Sequence, residues 1–228
     1  MKKYLVCSRR SEYGLSLIHI FEPARIYHGL QLQLMVYLQA AVEMVKRKYP
    51  DKEVVPAGVF YYRIQDPVIE ATGHEDEKQL REAVLKELRM DGLANSDPRV
   101  LDMLDHTPGK NSRVISRLER REDGTASTRS RAAGRKQLEL LRGYAVDKVK
   151  ELGSHMAAGE IPASPYELAG RMPCEYCPYG AVCGFDRQLE GCRPRKLPAI
   201  GLEELWNILE RKGGDRDGAV DQGTTENY

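Results

Sequence analysis

The chain has 228 residues, 41% of them hydrophobic and 30% charged, with a formal net charge of +1. That length suffices for one sizeable domain with its own core, and the near-neutral balance excludes a global attraction for nucleic acid, so any such affinity must come from local clustering. Five cysteines, three of them within ten residues, argue against a secreted disulfide scaffold.

No apolar run approaches the length of a membrane-spanning helix. The weak apolar start at Tyr4–Cys7 is broken by Arg9, Arg10 and Glu12, so a signal peptide is not expected, and a cytoplasmic location without membrane contact is. Residues 1 to about 25 show no period. The stretch Gly14-Leu-Ser-Leu-Ile-His-Ile-Phe-Glu-Pro23 resembles a peptide that arises when sequencing-adapter DNA is translated, so residues 1–25 are expected to be a non-native or disordered head. From Leu30 to Val45 apolar residues cover a broad helical face, followed by Lys46, Arg47 and Lys48, which complement the helix dipole. The pattern predicts a well-buried helix over about 27–48, stopped at Pro50.

Residues 53–64, rich in β-branched and aromatic types, predict a strand whose start at Pro56 is an edge or a bulge. A peripheral amphipathic helix is predicted over 75–90, with Leu80, Val84, Leu85 and Leu88 on one face. Asp97-Pro98 opens a short helix to about 105, with Asp at the N-cap and Pro at the first helical position. A short strand is predicted over 113–118 and a turn at Asp123-Gly124. A long helix follows over 135–157, with Leu138, Leu141, Tyr144, Ala145, Val149 and Leu152 as its apolar stripe. Residues 162–199 combine prolines, cysteines and little periodicity, a composition that needs something besides a hydrophobic core to fix its shape. A helix over 201–211 and a disordered polar tail complete the chain.

The cysteines follow the pattern Cys174-x2-Cys177-x5-Cys183, with Cys192 following after eight intervening residues. An x2 turn brings two thiolates to one side and a five-residue loop returns a third. Pro173 and Pro178 stiffen the approach. Zinc and an iron–sulfur cluster both take four thiolates or near equivalents, so the spacing admits either. Zinc would use all four local cysteines. A cluster can draw its fourth cysteine from far away in sequence.

The run Cys174-Glu-Tyr-Cys177-Pro-Tyr-Gly-Ala-Val-Cys183-Gly-Phe-Asp186 resembles the C-terminal motif of the AddB family, one of the two chains of bacterial AddAB helicase–nucleases that process double-strand DNA breaks. Arg195-Lys196-Leu197, the segment from Tyr27 to Leu38 and the segment from Pro56 to Pro67 match the same family, so the resemblance covers about residues 26–199. It implies a partial α/β fold of the RecB-like PD-(D/E)XK nuclease type, with long helices, few strands and an iron–sulfur loop. It also implies a [4Fe–4S] cluster held by Cys174, Cys177 and Cys183, acting as a structural staple. The family's fourth ligand lies in an upstream region that this chain does not contain. Cys192 is not at a family ligand position but offers a substitute thiol.

Gln33-x3-Tyr37 matches the Q-x-x-x-Y motif of the RecB-like nucleases, which places both residues beside the active site. The family chemistry needs two acids that hold Mg²⁺ and a lysine, the last acid and the lysine forming an Asp-Tyr-Lys element just before this helix. Here Ile18-His-Ile-Phe-Glu-Pro23 stands in that place and Glu22 is not read as a ligand, so no intact catalytic set is expected. Nor is there a Gly-x4-Gly-Lys-Ser/Thr loop, so this chain is not expected to bind ATP. Between 110 and 150, twelve basic residues face five acidic ones. Arg129, Arg131, Arg135 and Lys136 are candidate DNA contacts, with a solvated helix face and flexible loop as the plain alternative.

The sequence thus predicts part of an AddB-type protein, its partners DNA and the AddA helicase–nuclease, the parent degrading one strand 5′→3′. Two other readings stay open: a non-enzymatic zinc-binding nucleic-acid module, and a CRISPR-associated iron–sulfur exonuclease, against which the segments around Pro56 and Cys174 argue.

Overall fold

A computed structural model describes residues 21–62, 67–69, 73–160 and 162–217, with side chains to residue 213 in the last helix. It is a mixed α/β structure with seven helices and five short strands among the described residues. No described helix is long and apolar enough to cross a membrane. The chain divides into two compact units, residues 1–21 with 44–138, and residues 22–43 with 139–228.

The first unit is built on a three-stranded sheet of β1 (Gly58–Tyr61), β2 (Asp91–Asn95) and β3 (Ala132–Ala133). β1 runs antiparallel to β2, with Gly58 opposite Ala94 and Tyr61 opposite Asp91. β3 runs parallel on its other side, with Ala94 opposite Ala132. Among the described residues of the predicted strand over 53–64, the ladder runs over Gly58–Tyr61. At Pro56 the carbonyl accepts from the side-chain amide of the buried Asn95 at 2.8 Å, an edge contact rather than a ladder bond. The residues of β2 do not announce a strand, and the strand expected over 113–118 is instead a loop that touches the sheet through one parallel bridge, Ile115 with Met90. Residues 63–66, which include the end of the predicted 53–64 segment, lie outside the described residues.

Asn95 also receives the Asp97 backbone N–H at 2.9 Å, which turns the chain out of β2 into α4 (Pro98–Leu104). There the Asp97 carboxylate caps the Arg99 N–H, and Pro98 opens the helix, as its sequence predicts. Ala94, Leu101, Ile115 and Leu118 form the core, with Phe60, Met90, Leu104 and Ala126 packed on it. α3 (Glu77–Glu87) carries a capping box between Asp76 and Gln79 and buries none of its residues, in keeping with a peripheral helix.

The predicted helix over 27–48 is two helices, α1 (Pro23–Tyr27) and α2 (Gln33–Lys48). Gly29, at φ +79°, makes the turn between them. The expected wide burial is also corrected. Only Met35 and Val42 of α2 are buried, whereas Val36, Tyr37, Met44 and Val45 are exposed. Residues 1–20 of the expected head lie outside the described residues, but its expected end at residue 25 falls inside α1, where Ala24 and Ile26 are buried.

α5 (Arg135–Ala157) has the predicted bounds. The Gly134 N–H donates to Gln137 Oε1 at 2.9 Å across its first turn. In the second unit Leu141, Tyr144 and Ala145 are buried, but the stripe stops there, since Val149 and Leu152 are exposed. Tyr144 Oη donates to the Tyr27 carbonyl at 2.6 Å and the two rings stack 5.7 Å apart. The last helix, α7 (Leu202–Asp217), is longer than predicted and buries Leu205, Trp206 and Leu209, with α1 packed against it. β4 (Tyr166–Leu168) and β5 (Arg195–Leu197) form a separate parallel pair.

Candidate functional site

β4 and β5 frame the cysteine-bearing segment. Tyr166 pairs with Arg195 and Leu168 with Leu197, so both ends of residues 169–194 are fixed side by side. Within that frame Arg187 makes an ion pair with Glu167 of β4. The backbone forms a 3-10 turn at Pro173–Tyr176 and one α-turn, α6 (Gly180–Cys183), closed by Gly184 at φ +67°. The Cys177 N–H bonds to the Cys174 carbonyl at 3.3 Å, and the Cys183 N–H to the Tyr179 carbonyl at 2.9 Å.

From Pro173 to Cys192 no residue is buried. Cys174, Cys177 and Cys183 are exposed, Cys192 is half-buried, and all four are free thiols. Tyr176, Tyr179 and Val182 also stand in water. The donor chemistry suits a thiolate-bound centre, and the segment lacks an apolar core of its own. The side chains do not converge, however. Among the described residues no group of three or more His, Cys, Asp or Glu side chains is placed to hold a metal ion, whether at these cysteines or as a carboxylate site.

The Q-x-x-x-Y pair does come together. Gln33 Nε2 donates to Tyr37 Oη at 3.0 Å across one helical turn, and both residues are exposed. Because Tyr37 Oη is the acceptor, its own proton is left to donate outward. Glu22 pairs with Arg25 at 2.7 Å, a local contact within α1 and its cap.

The four candidate DNA contacts separate. Arg129 and Lys136 are exposed. Arg135 is ion-paired with Glu53. Arg131 is engaged internally. Its guanidinium lies 2.8 Å from Asp91, both side chains less than a fifth exposed, and it covers the buried Phe21 ring. Asp91 also accepts from the Phe21 N–H at 2.9 Å and from Ser116 Oγ at 3.0 Å. Nothing in the sequence singles out Asp91. Its partners lie 70, 25 and 40 residues away, and no local pattern joins them.

A family model of the PD-(D/E)XK nuclease superfamily matches residues 19–184. The chain belongs to the PD-(D/E)XK nuclease superfamily. Nucleases of this superfamily are typically dependent on divalent metal ions. The chain is 35% identical over 219 residues to the B chain of an ATP-dependent helicase/deoxyribonuclease from Lachnoclostridium phytofermentans, covering 90% of this chain and 18% of the relative. It is 34% identical over 194 residues to the protein of the same description from Thermoanaerobacter sp. (strain X514), and 30% identical over 192 residues to that from Clostridium kluyveri, each covering 84% of this chain and 17% of the relative. The chain therefore spans less than a fifth of the length of these relatives. The expected family is the one found, and the nuclease match includes both the Q-x-x-x-Y helix and the three clustered cysteines.

Proposed function

We propose that this chain is the part of an AddB-type helicase/deoxyribonuclease protein that supports a nuclease centre without carrying its chemistry. The observation that carries this reading is the cysteine segment. It is framed by two paired strands, largely exposed, and without a buried residue between Pro173 and Cys192. A segment of that kind takes a defined shape when a metal centre substitutes for the missing core. Cys174, Cys177 and Cys183 would hold a [4Fe–4S] cluster, with Cys192 or a cysteine supplied from elsewhere in the whole protein as the fourth ligand. The cluster supplies a covalent staple, and the protein supplies the turns that present the thiols.

In the same reading α2 presents Gln33 and Tyr37 toward the DNA backbone, with Gln33 fixing the tyrosine hydroxyl as an outward donor. Arg129, Lys136 and the exposed side of Arg135 give sequence-independent contacts to phosphates. The whole protein would act with an ATP-driven AddA partner in double-strand break repair and degrade one strand 5′→3′ in the cytoplasm, its acids and lysine binding Mg²⁺. In this chain Ile18–Pro23 offers no Asp-x-Lys, so the isolated protein should not cleave DNA.

One preparation tests both statements. Chain purified without oxygen should be brown, contain iron rather than stoichiometric zinc, and leave linear DNA intact with Mg²⁺. Stoichiometric zinc without iron would move the assignment to a zinc-binding module. Mg²⁺-dependent cleavage lost on Glu22→Gln would overturn the proposed lack of a catalytic set.

A further inference from the structure

The end of α2 gathers basic residues around an exposed aromatic ring. Lys46, Arg47 and Lys48 close the helix, and Tyr49, 43% exposed, follows. The Tyr49 N–H bonds back to the Val45 carbonyl at 2.9 Å, which holds the ring at the rim of the last turn. A tight turn then brings the Lys52 N–H to the Tyr49 carbonyl at 3.1 Å. As a result the ammonium groups of Lys48 and Lys52 each lie 5.4 Å from the centre of the Tyr49 ring. Of the two acids that follow, Asp51 is exposed and Glu53 is engaged by Arg135. That ion pair also brings the start of α5, with the exposed Lys136, next to this turn.

Basic residues at a helix C-terminus have an ordinary role in complementing the dipole. That role needs no aromatic ring in water, and it does not require a fourth cation returned to the ring by a turn. An exposed ring flanked by exposed ammoniums suits binding of single strands without reading sequence. A base stacks on the ring and the cations follow the flanking phosphates. Lysine suits this because its long stem lets the charge leave the ring for a phosphate.

We propose that Tyr49, with Lys48 and Lys52, forms a stacking platform for single-stranded DNA, continued by Arg135 and Lys136. The proposal rests on the reading that the chain is part of a DNA-processing protein, and it names the strand form that this surface takes.

Fluorescence anisotropy with the full chain, a labelled oligo-dT and a hairpin duplex tests it. Tyr49→Ala should weaken oligo-dT binding about tenfold and leave the thermal midpoint unchanged, while Tyr49→Phe should retain affinity. The double variant Lys48→Ala/Lys52→Ala should make the slope of log K against log salt concentration shallower by about 1.4, two phosphates on a single strand. Duplex should bind more weakly than oligo-dT. If Tyr49→Ala binds like wild type while Arg135→Ala/Lys136→Ala binds weakly, the platform is overturned and the broader DNA-binding role stands. Equal or tighter duplex binding also overturns the platform. Absence of binding to either DNA overturns both.

Discussion

Asp105 shows how one residue can hold a long loop. Only 3% of it is exposed, yet it sits among donors that favour its charged form. Its carboxylate accepts from Ser112 Oγ, from the Thr107 hydroxyl and from the Thr107 N–H at 2.8 Å. Ser112 Oγ in turn accepts the Ile115 N–H at 2.8 Å, so the carboxylate fixes the chain that delivers Ile115 to the core. Burial alone would push the Asp105 carboxyl up. The hydrogen bonds from Ser112 and Thr107, with the nearby Arg120 charge, outweigh it and hold the group below the usual carboxylate range. A depressed folded value means that the ionised group stabilises the fold above the unfolded pKa of about 3.9, and that this contribution is lost as pH falls through the folded value. Asp105→Ala should cost about 2–3 kcal/mol at neutral pH, the scale for hydrogen bonds to a charged acceptor. In urea unfolding from pH 7 down to pH 3, the gap between wild type and variant should narrow at the acid end. A gap that stays constant over that range would show that the charge of Asp105 is not what stabilises the loop.

β2 is the element on which the first unit is assembled, and also the one least visible in the sequence. Asp91-Gly-Leu-Ala-Asn95 contains no β-branched or aromatic residue, so local preference points away from a strand. What makes it one is pairing on both edges, the burial of Leu93 and Ala94, and a close approach of β1 that leaves no room for a side chain at Gly92. Gly92 lies against β1 so closely that an added Cβ would sit 2.0 Å from the Val59 carbonyl oxygen. Gly92→Ala should therefore cost about 3 kcal/mol or more, the upper end for overpacking, because the obstacle is backbone and cannot rotate away. Thermal or urea unfolding measures this directly, and a variant as stable as wild type would mean that the β1–β2 pairing opens without cost. α4 and α5 are legible for the opposite reason. Asp97-Pro98 is a local start signal, and the stripe from Leu138 to Ala145 repeats at helical spacing. The break at Gly29 is hidden because apolar residues continue through it, so the periodicity masks the turn. The same rule governs the sites. Gln33 with Tyr37 and the clustered cysteines are short-range patterns that can be read directly, whereas the engagement of Arg131 by Asp91 depends on a partner 40 residues away.

At the scale of the whole chain, order is unevenly supported. The first unit has the core around Leu101 and Ile115, and the second has Leu141, Leu205 and Leu209. Residues 173–192 bury nothing, and their segment is held by the β4–β5 pairing at its ends and by Arg187 on Glu167 of β4. Local stability follows buried contacts, so this segment should open far more readily than α5 when no metal is bound. A ligand that binds only the ordered form shifts that balance by mass action. Trypsin should accordingly cut metal-free chain after Arg187 well before it cuts within α5, and iron loading should slow the Arg187 cut at least about tenfold, the effect of roughly 1.4 kcal/mol of binding. Cys177→Ser should restore fast cleavage even in iron-replete preparations, while cleavage within α5 stays slow throughout. Equal rates of cleavage after Arg187 with and without iron would mean that the framed segment is ordered by the protein alone, and that the cysteines hold nothing on which its shape depends.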